Sequence, residues 1–410
     1  MDVKQKRPLI LKLSDDSKEV QMVKILKNVQ KVKDYSGLNI PLTRPYFDSD
    51  ELTEINEVLD SGWVSQGPKV KEFEDRFAKY LGIKYAVAVT NCTCALHLSL
   101  LGYGIKKGDE VLVSDFTHPA TSHSVLFCGA KPIFVDVDTK TYNINPNLIE
   151  DKITENTKAI VPVHIFGQPV EMDPIMEIAE DYDLKVIEDA ACAHGAIYKN
   201  RLAGTIGDAG CFSFHARKGM TTGEGGMIVT NNKELADEVR SLSTFGTVTA
   251  WSREGSDEFI IPSFVKLGYN YKMSDISAAV GIAQLRKLDR LIEKRRTLAK
   301  YWDEKLHELD FIEPPYCSRD VKHVYQSYVA LVDKRINRNK LIEQTRRKGV
   351  QTQIGTYACH IQPVYDTKQS CPNSLDIFNR SLSLPIYYTL EKENIDVAIE
   401  KIKSVIGELK

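Results

Sequence analysis

The chain has 410 residues, of which 42% are hydrophobic and 27% charged, with 54 Lys and Arg against 56 Asp and Glu. A formal charge of −2 excludes the broad positive footprint of a nucleic-acid binder. No stretch approaches the roughly 20 apolar residues that span a bilayer, and at roughly 150 residues per domain the length suggests two or three domains around a large core.

The first residues, to about position 36, are Lys-rich with short apolar clusters. Their run Leu9-Ile10-Leu11 is too short for a signal-peptide core, so a cytoplasmic protein is expected. The segment reads as an extension over residues 1–38 with one helix at Val20–Val29. From Tyr85 a rhythm sets in. The apolar run Tyr85–Thr90 ends at Asn91 and is followed by a helical pattern through Leu96 and Leu100. Strands are expected at Glu110–Ser114, Pro132–Val137, Ala159–Phe166 and Lys185–Glu188, with helices at Thr121–Phe127 and Pro174–Tyr182. Short strands alternating with helices predict an α/β fold with a parallel sheet covered on both faces. Cys211–His215 and Met227–Thr230 read as two further strands, close enough in sequence for a hairpin. Beyond Asn270, Ser274 caps a long helix whose apolar positions run Ala278, Ile282, Leu285, Leu288, Ile292. That helix leaves the large domain, and Ile395, Ile399, Ile402, Ile406 and Leu409 form a last helical stripe.

Eight cysteines include the pair Cys92 and Cys94 but no C-x-x-C, so no zinc site is expected, and the thiols read as buried core in a reducing compartment. Ligands of open parallel sheets bind beyond the carboxyl ends of the strands. Three polar features fall there. Asn91-Cys92-Thr93-Cys94 opens a helix, whose N–H groups and Thr93 hydroxyl suit a phosphate. Asp189 closes a strand and precedes two alanines. Lys218 stands beside Arg217 and His215, ahead of Thr221-Thr222-Gly223-Glu224-Gly225-Gly226, where a lowered pKa and nucleophilic character are expected. Each has a plainer reading as a helix cap, a satisfied carboxylate or a surface Lys. Together they are what pyridoxal phosphate (PLP) requires: a phosphate anchor, an acid to keep the pyridine nitrogen protonated, and a Schiff-base Lys.

At EDAACAHGA (188–196) and CFSFHARKGMTTGEGGMIVT (211–230) the chain resembles the DegT/DnrJ/EryC1/StrS aminotransferases. SGWVSQGPKVKEFE (61–74), HIFGQPVEMDPI (164–175), LGYNYKMSDISAAVGIAQL (267–285), TYACHIQPVY (356–365) and SLSLPI (381–386) follow in family order. The resemblance implies fold type I. A large PLP-binding domain (39–285) would be built on a mainly parallel seven-stranded sheet, with a smaller C-terminal α/β domain (286–410). It implies Lys218 as the Schiff-base Lys and proton carrier, and Asp189 on the pyridine nitrogen. Thr93, the backbone of Cys94 and Ser213 would bind the phosphate, with Asn270 reaching that of a neighbouring subunit, so the sites are shared in a homodimer. His118 would stack on the ring, and Cys192 replaces a Gln that hydrogen-bonds the ring oxygen. Lys272 stands where Arg is common, and His194 is read as structural. His215, Tyr357 and His360 are the substrate-binding candidates, with Trp63 on a loop that approaches the site. The implied reaction moves an amino group from L-glutamate to a keto-sugar nucleotide. A ketocyclitol acceptor, or a binding protein without catalysis, are the alternatives.

Overall fold

The computed structural model describes residues 39–247 and 261–409, so the helix expected at Val20–Val29 lies outside the described residues. Seven strands build the main sheet: β1 (Tyr85–Val89), β2 (Glu110–Ser114), β3 (Lys131–Val135), β4 (Thr157–Val161), β5 (Lys185–Asp189), β6 (Ala209–Ser213) and β7 (Gly226–Thr230). Their order is β1-β7-β6-β5-β4-β2-β3. The five from β6 to β3 are parallel, whereas β7 runs antiparallel to both β1 and β6. This is the mainly parallel seven-stranded sheet that the resemblance implies. Val87, Val111, Val161 and Ile187 project to one face and Ala88, Leu112, Ile160 and Val186 to the other, all fully buried or nearly so. A sheet covered on both faces needs such unbroken apolar strands.

The helices are α1 (Ser49–Ser61), α2 (Pro68–Leu81), α3 (Cys92–Gly102), α4 (Ala120–Phe127), α5 (Met172–Asp181), α6 (Lys233–Ser243), α7 (Asp275–Arg286), α8 (Leu288–Leu306), α9 (Arg338–Arg347), α10 (Pro372–Arg380) and α11 (Lys392–Leu409). A second sheet, β8 (Ile312–Glu313), β9 (Tyr328–Val332) and β10 (Ser381–Leu384), is ordered β8-β9-β10. Trp302, Tyr328, Leu384 and Ile399 fill its core, and Ile40 joins them from the other end of the chain.

Several elements differ from expectation, and the strand expected over Pro132–Val137 stops at Val135. The strand expected over Ala159–Phe166 stops at Val161, because Pro162 has no N–H for the ladder and Ile165–Gly167 forms a 3-10 turn. The strand expected over Cys211–His215 ends at Ser213, leaving Phe214 onward free to form the loop that carries Lys218. The long helix after Ser274 breaks at Lys287, whose backbone leaves helical geometry where its ammonium meets Asp48 at 2.6 Å and Glu51 at 2.9 Å. Ser274 does cap α7, accepting from Ser277 N–H at 3.2 Å.

Candidate active site

A cavity of about 510 Å³ opens at the carboxyl ends of the parallel strands. Its walls include Thr93, His118, Asp189, Cys192, Ser213, His215, Lys218 and Tyr357, so eight of the eleven site residues expected from the sequence meet in one space.

The strand β1 delivers Asn91, whose carboxamide oxygen accepts from Cys94 N–H at 2.9 Å and caps α3. Asn91, Cys92 and Thr93 therefore face the cavity, whereas Cys94 is not on its wall and its N–H is taken. That corrects the expectation for Cys94. The helix start is held close to the sheet by Gly226: a Cβ there would stand 2.4 Å from the Asn91 carbonyl carbon.

On β5 the alternation of side chains separates two adjacent acids. Glu188 is fully buried and accepts from Gly204, Ile206 and Gly207 N–H and from the His164 ring at 2.6–2.8 Å. Asp189 points into the cavity instead, accepting from the Thr121 hydroxyl at 2.8 Å and from Ala191 N–H at 3.1 Å. Two donors leave further lone pairs of the carboxylate for a ligand. Thr121 escaped the sequence reading because it lies 68 positions away and only the sheet order brings it to Asp189.

Lys218 follows β6 and donates its Nζ to Cys192 Sγ at 3.2 Å. Burial opposes its charge, but the Cys192 sulfur and the Asp189 carboxylate prevail and hold its pKa above the ordinary Lys value. The expectation of a lowered pKa is thus reversed. The Lys218 carbonyl is fixed by the Arg295 guanidinium at 3.3 Å, and the Arg217 carbonyl by Gln326 Nε2 at 2.7 Å. Enclosure by the protein, then the Lys218 charge, lower the His118 pKa, and enclosure likewise lowers that of His215. His118 meets the Tyr357 ring edge-on at 6.1 Å, because Tyr357–Ala358 pairs with Phe116–Thr117.

The remaining expectations fall outside this wall. His360 is not a lining residue: its ring Nδ1 and its N–H both engage the buried Asp115, at 2.7 and 2.6 Å. It serves as an internal anchor rather than a substrate contact. Asp115, His360 and Cys371 stand close enough for a metal, but Ser374 also donates to the Asp115 carboxylate, which is thereby satisfied by the protein. Asn270 does not line this chain's cavity and accepts from Lys272 Nζ, which sits over the Phe245 ring at 4.5 Å. Trp63 is half-exposed and donates to Gln66 O at 3.1 Å, away from the cavity. His194 is buried between Phe212 and Phe214, its pKa pushed down to about 3 by burial, and packs rather than lines the site.

A family model described as the DegT/DnrJ/EryC1/StrS aminotransferase family matches residues 45–403. The chain is 40% identical over 378 residues to the uncharacterized protein MJ1066 of Methanocaldococcus jannaschii, spanning 90% of this chain and 98% of that one. It is 37% identical to the spore coat polysaccharide biosynthesis protein SpsC of Bacillus subtilis, spanning 90% and 97%. The solved structure of Helicobacter pylori PseC, an aminotransferase involved in the biosynthesis of pseudoaminic acid, superposes with a TM-score of 0.84 at 25% identity, over 90% of this chain and 99% of that chain.

Proposed function

We propose, from the premise that the chain belongs to the DegT/DnrJ/EryC1/StrS aminotransferase family and is a PLP-dependent sugar aminotransferase, that it moves an amino group from L-glutamate to a keto-sugar nucleotide. The observation that carries this reading is the convergence of Lys218, Asp189 and the α3 N-terminus on one cavity.

The residues present fit PLP. The cavity is roomy, the close approach of α3 through Gly226 leaves an anion-binding helix end at its wall, and Asp189 keeps unsatisfied lone pairs. Thr93 and Ser213 hydroxyls would hold the phosphate, Asp189 the pyridine nitrogen, and Lys218 the aldehyde carbon, with His118 against the ring face. PLP supplies an electron sink for carbanion charge. Asp189, held in place by the Thr121 hydroxyl and Ala191 N–H, would pair with the protonated pyridine nitrogen. Lys218 Nζ, once freed as the neutral amine, would take the proton from the amino-donor carbon and return it within the same cavity, beside Cys192 and Asp189. Cys192, on the cavity wall, would offer the ring oxygen only a weakly donating thiol. His215 and Tyr357, on the wall, would contact the acceptor.

Residues 39–285 are taken as the cofactor-binding domain and 286–410 as the small domain, on the support of their separate sheets, with Ile40 crossing into the second core. Phe245, Phe264, Val265 and Leu267 are large apolar side chains left exposed beside Asn270 and Lys272, which supports a homodimer with shared sites.

The test is the visible absorption spectrum of the PLP-loaded protein before and after L-glutamate. The reading expects the visible band to convert, and expects Lys218→Ala to lose multiple turnover. Normal turnover by Lys218→Ala would sink it. Asp189→Asn should fold normally and lose at least two decades of rate, about 2.7 kcal/mol of barrier; an unchanged rate removes Asp189 from its role. Insensitivity to nucleoside diphosphates would move the acceptor to a ketocyclitol or another non-nucleotide ketone.

A further inference from the structure

The charged groups on the cavity wall are Asp189, His118, His215, Arg217, Lys218 and Glu224. All but one have an assigned environment. Asp189 is held by Thr121 and Ala191, and Lys218 by Cys192. Glu224 stands 3.9 Å from His215 Nε2. Both histidines have pKa values below the ordinary 6.5, so at neutral pH they are predominantly uncharged. Once Lys218 carries the cofactor, the fixed positive charge on this wall is Arg217.

Arg217 has its backbone fixed at both ends and its side chain unclaimed. Its N–H donates to His215 Nδ1 at 3.2 Å, and its carbonyl accepts from Gln326 Nε2 at 2.7 Å. Its guanidinium, exposed on the cavity, has no carboxylate within ion-pair distance among the described residues. Arg286, Arg335, Arg347 and Arg380, by contrast, each meet an Asp or Glu. A guanidinium is a planar fork of N–H donors that matches two anionic oxygens at once, and its charge does not titrate in the working range.

We infer that Arg217 is the anion anchor of the substrate site, pairing bidentately with paired anionic oxygens of a reactant while neighbouring Lys218 works on its carbon. This deepens and rests on the aminotransferase reading. Two reactants of that reading present such oxygens: the carboxylate of the amino donor and the diphosphate of the sugar nucleotide. The anchor serves specificity, because it discriminates anionic from neutral partners at the step where they enter.

Calorimetric titration of the PLP-loaded full chain with glutarate and, separately, with UDP tests this, since neither probe carries a reacting amine or ketone. In Arg217→Gln the Kd of one or both probes should rise roughly tenfold or more, as expected for a lost charge-assisted pair. Arg217→Lys should recover only part, because a point charge replaces a fork. Weakened glutarate assigns the anchor to the amino donor, and weakened UDP assigns it to the diphosphate. An unchanged Kd for both probes, or a wild-type protein that binds neither, overturns the inference. So does loss of the visible PLP band in Arg217→Gln with an unchanged melting temperature, which would give Arg217 to the cofactor instead. Failure of L-glutamate to convert the band would remove glutamate as donor, and leaves the probe titrations to decide Arg217 on their own.

Discussion

Arg295 carries its guanidinium into the core, where it donates to the Gln326 and Ile386 carbonyls at 2.9 and 3.5 Å and to the Lys218 carbonyl at 3.3 Å. Burial lowers its pKa to about 10, and no ion pair with a carboxylate is present among the described residues. Its worth lies in tying the Lys218 loop to the segments around β9 and β10. Arg295→Met should destabilise the protein by about 1–3 kcal/mol for each carbonyl left buried without a donor, read as a lower urea midpoint. His360 is the opposite case. Its hydrogen bond to Asp115 outweighs burial and raises its pKa above 6.5. A raised folded-state pKa contributes stability that is complete below the unfolded value and fades as pH rises through the folded one. His360→Asn should therefore cost roughly 1.5–3 kcal/mol in acid solution, and the melting-temperature gap from wild type should narrow as pH climbs from 6 to 9. A gap that widens with pH would contradict the pairing.

At the scale of elements, the site depends on how closely α3 meets β7. Gly226→Ala would drive a methyl group against the Asn91 carbonyl, so a loss of about 1–3 kcal/mol together with weaker PLP retention on dialysis is expected. Asn91→Ala should cost about 1 kcal/mol through the lost cap. The same elements show what could be read in advance. Tyr85–Val89, Glu110–Ser114 and the helix from Ser274 were legible because apolar periodicity and a capping Ser are local signals. The ends of β4 and β6 were not, since pairing with neighbours decides where a ladder stops. Lys218, Asp189 and Thr93 were legible as a set through their motifs, and the cavity gathers them. The Cys94 cap, the inward turn of His360 to Asp115 and the Thr121 contact depend on backbone geometry or distant packing that no spacing reveals. The raised Lys218 pKa is hidden from the sequence for a related reason: its sulfur partner comes from a separate loop.

At the scale of the whole molecule, Leu267 is 85% exposed and Phe264 64%, an unusual display for side chains of that size. Leu267→Asp combined with Phe264→Ser should leave a folded monomer by light scattering and lose amino transfer, if Asn270 serves a neighbouring cavity. A variant that stays dimeric would place the interface elsewhere. The sheet order has a further consequence in time. Tyr85 pairs with Thr230 across the antiparallel strand inserted beside it. During synthesis β1 must wait for Gly226–Thr230 to leave the ribosome, on the order of ten seconds at roughly 5–20 residues per second. Until then its apolar edge is open, and the helix start that β1 delivers cannot close against the sheet. The nascent chain therefore cannot capture its cofactor in passing; it must finish the sheet first, and conditions that slow translation lengthen the interval in which it is prone to aggregate.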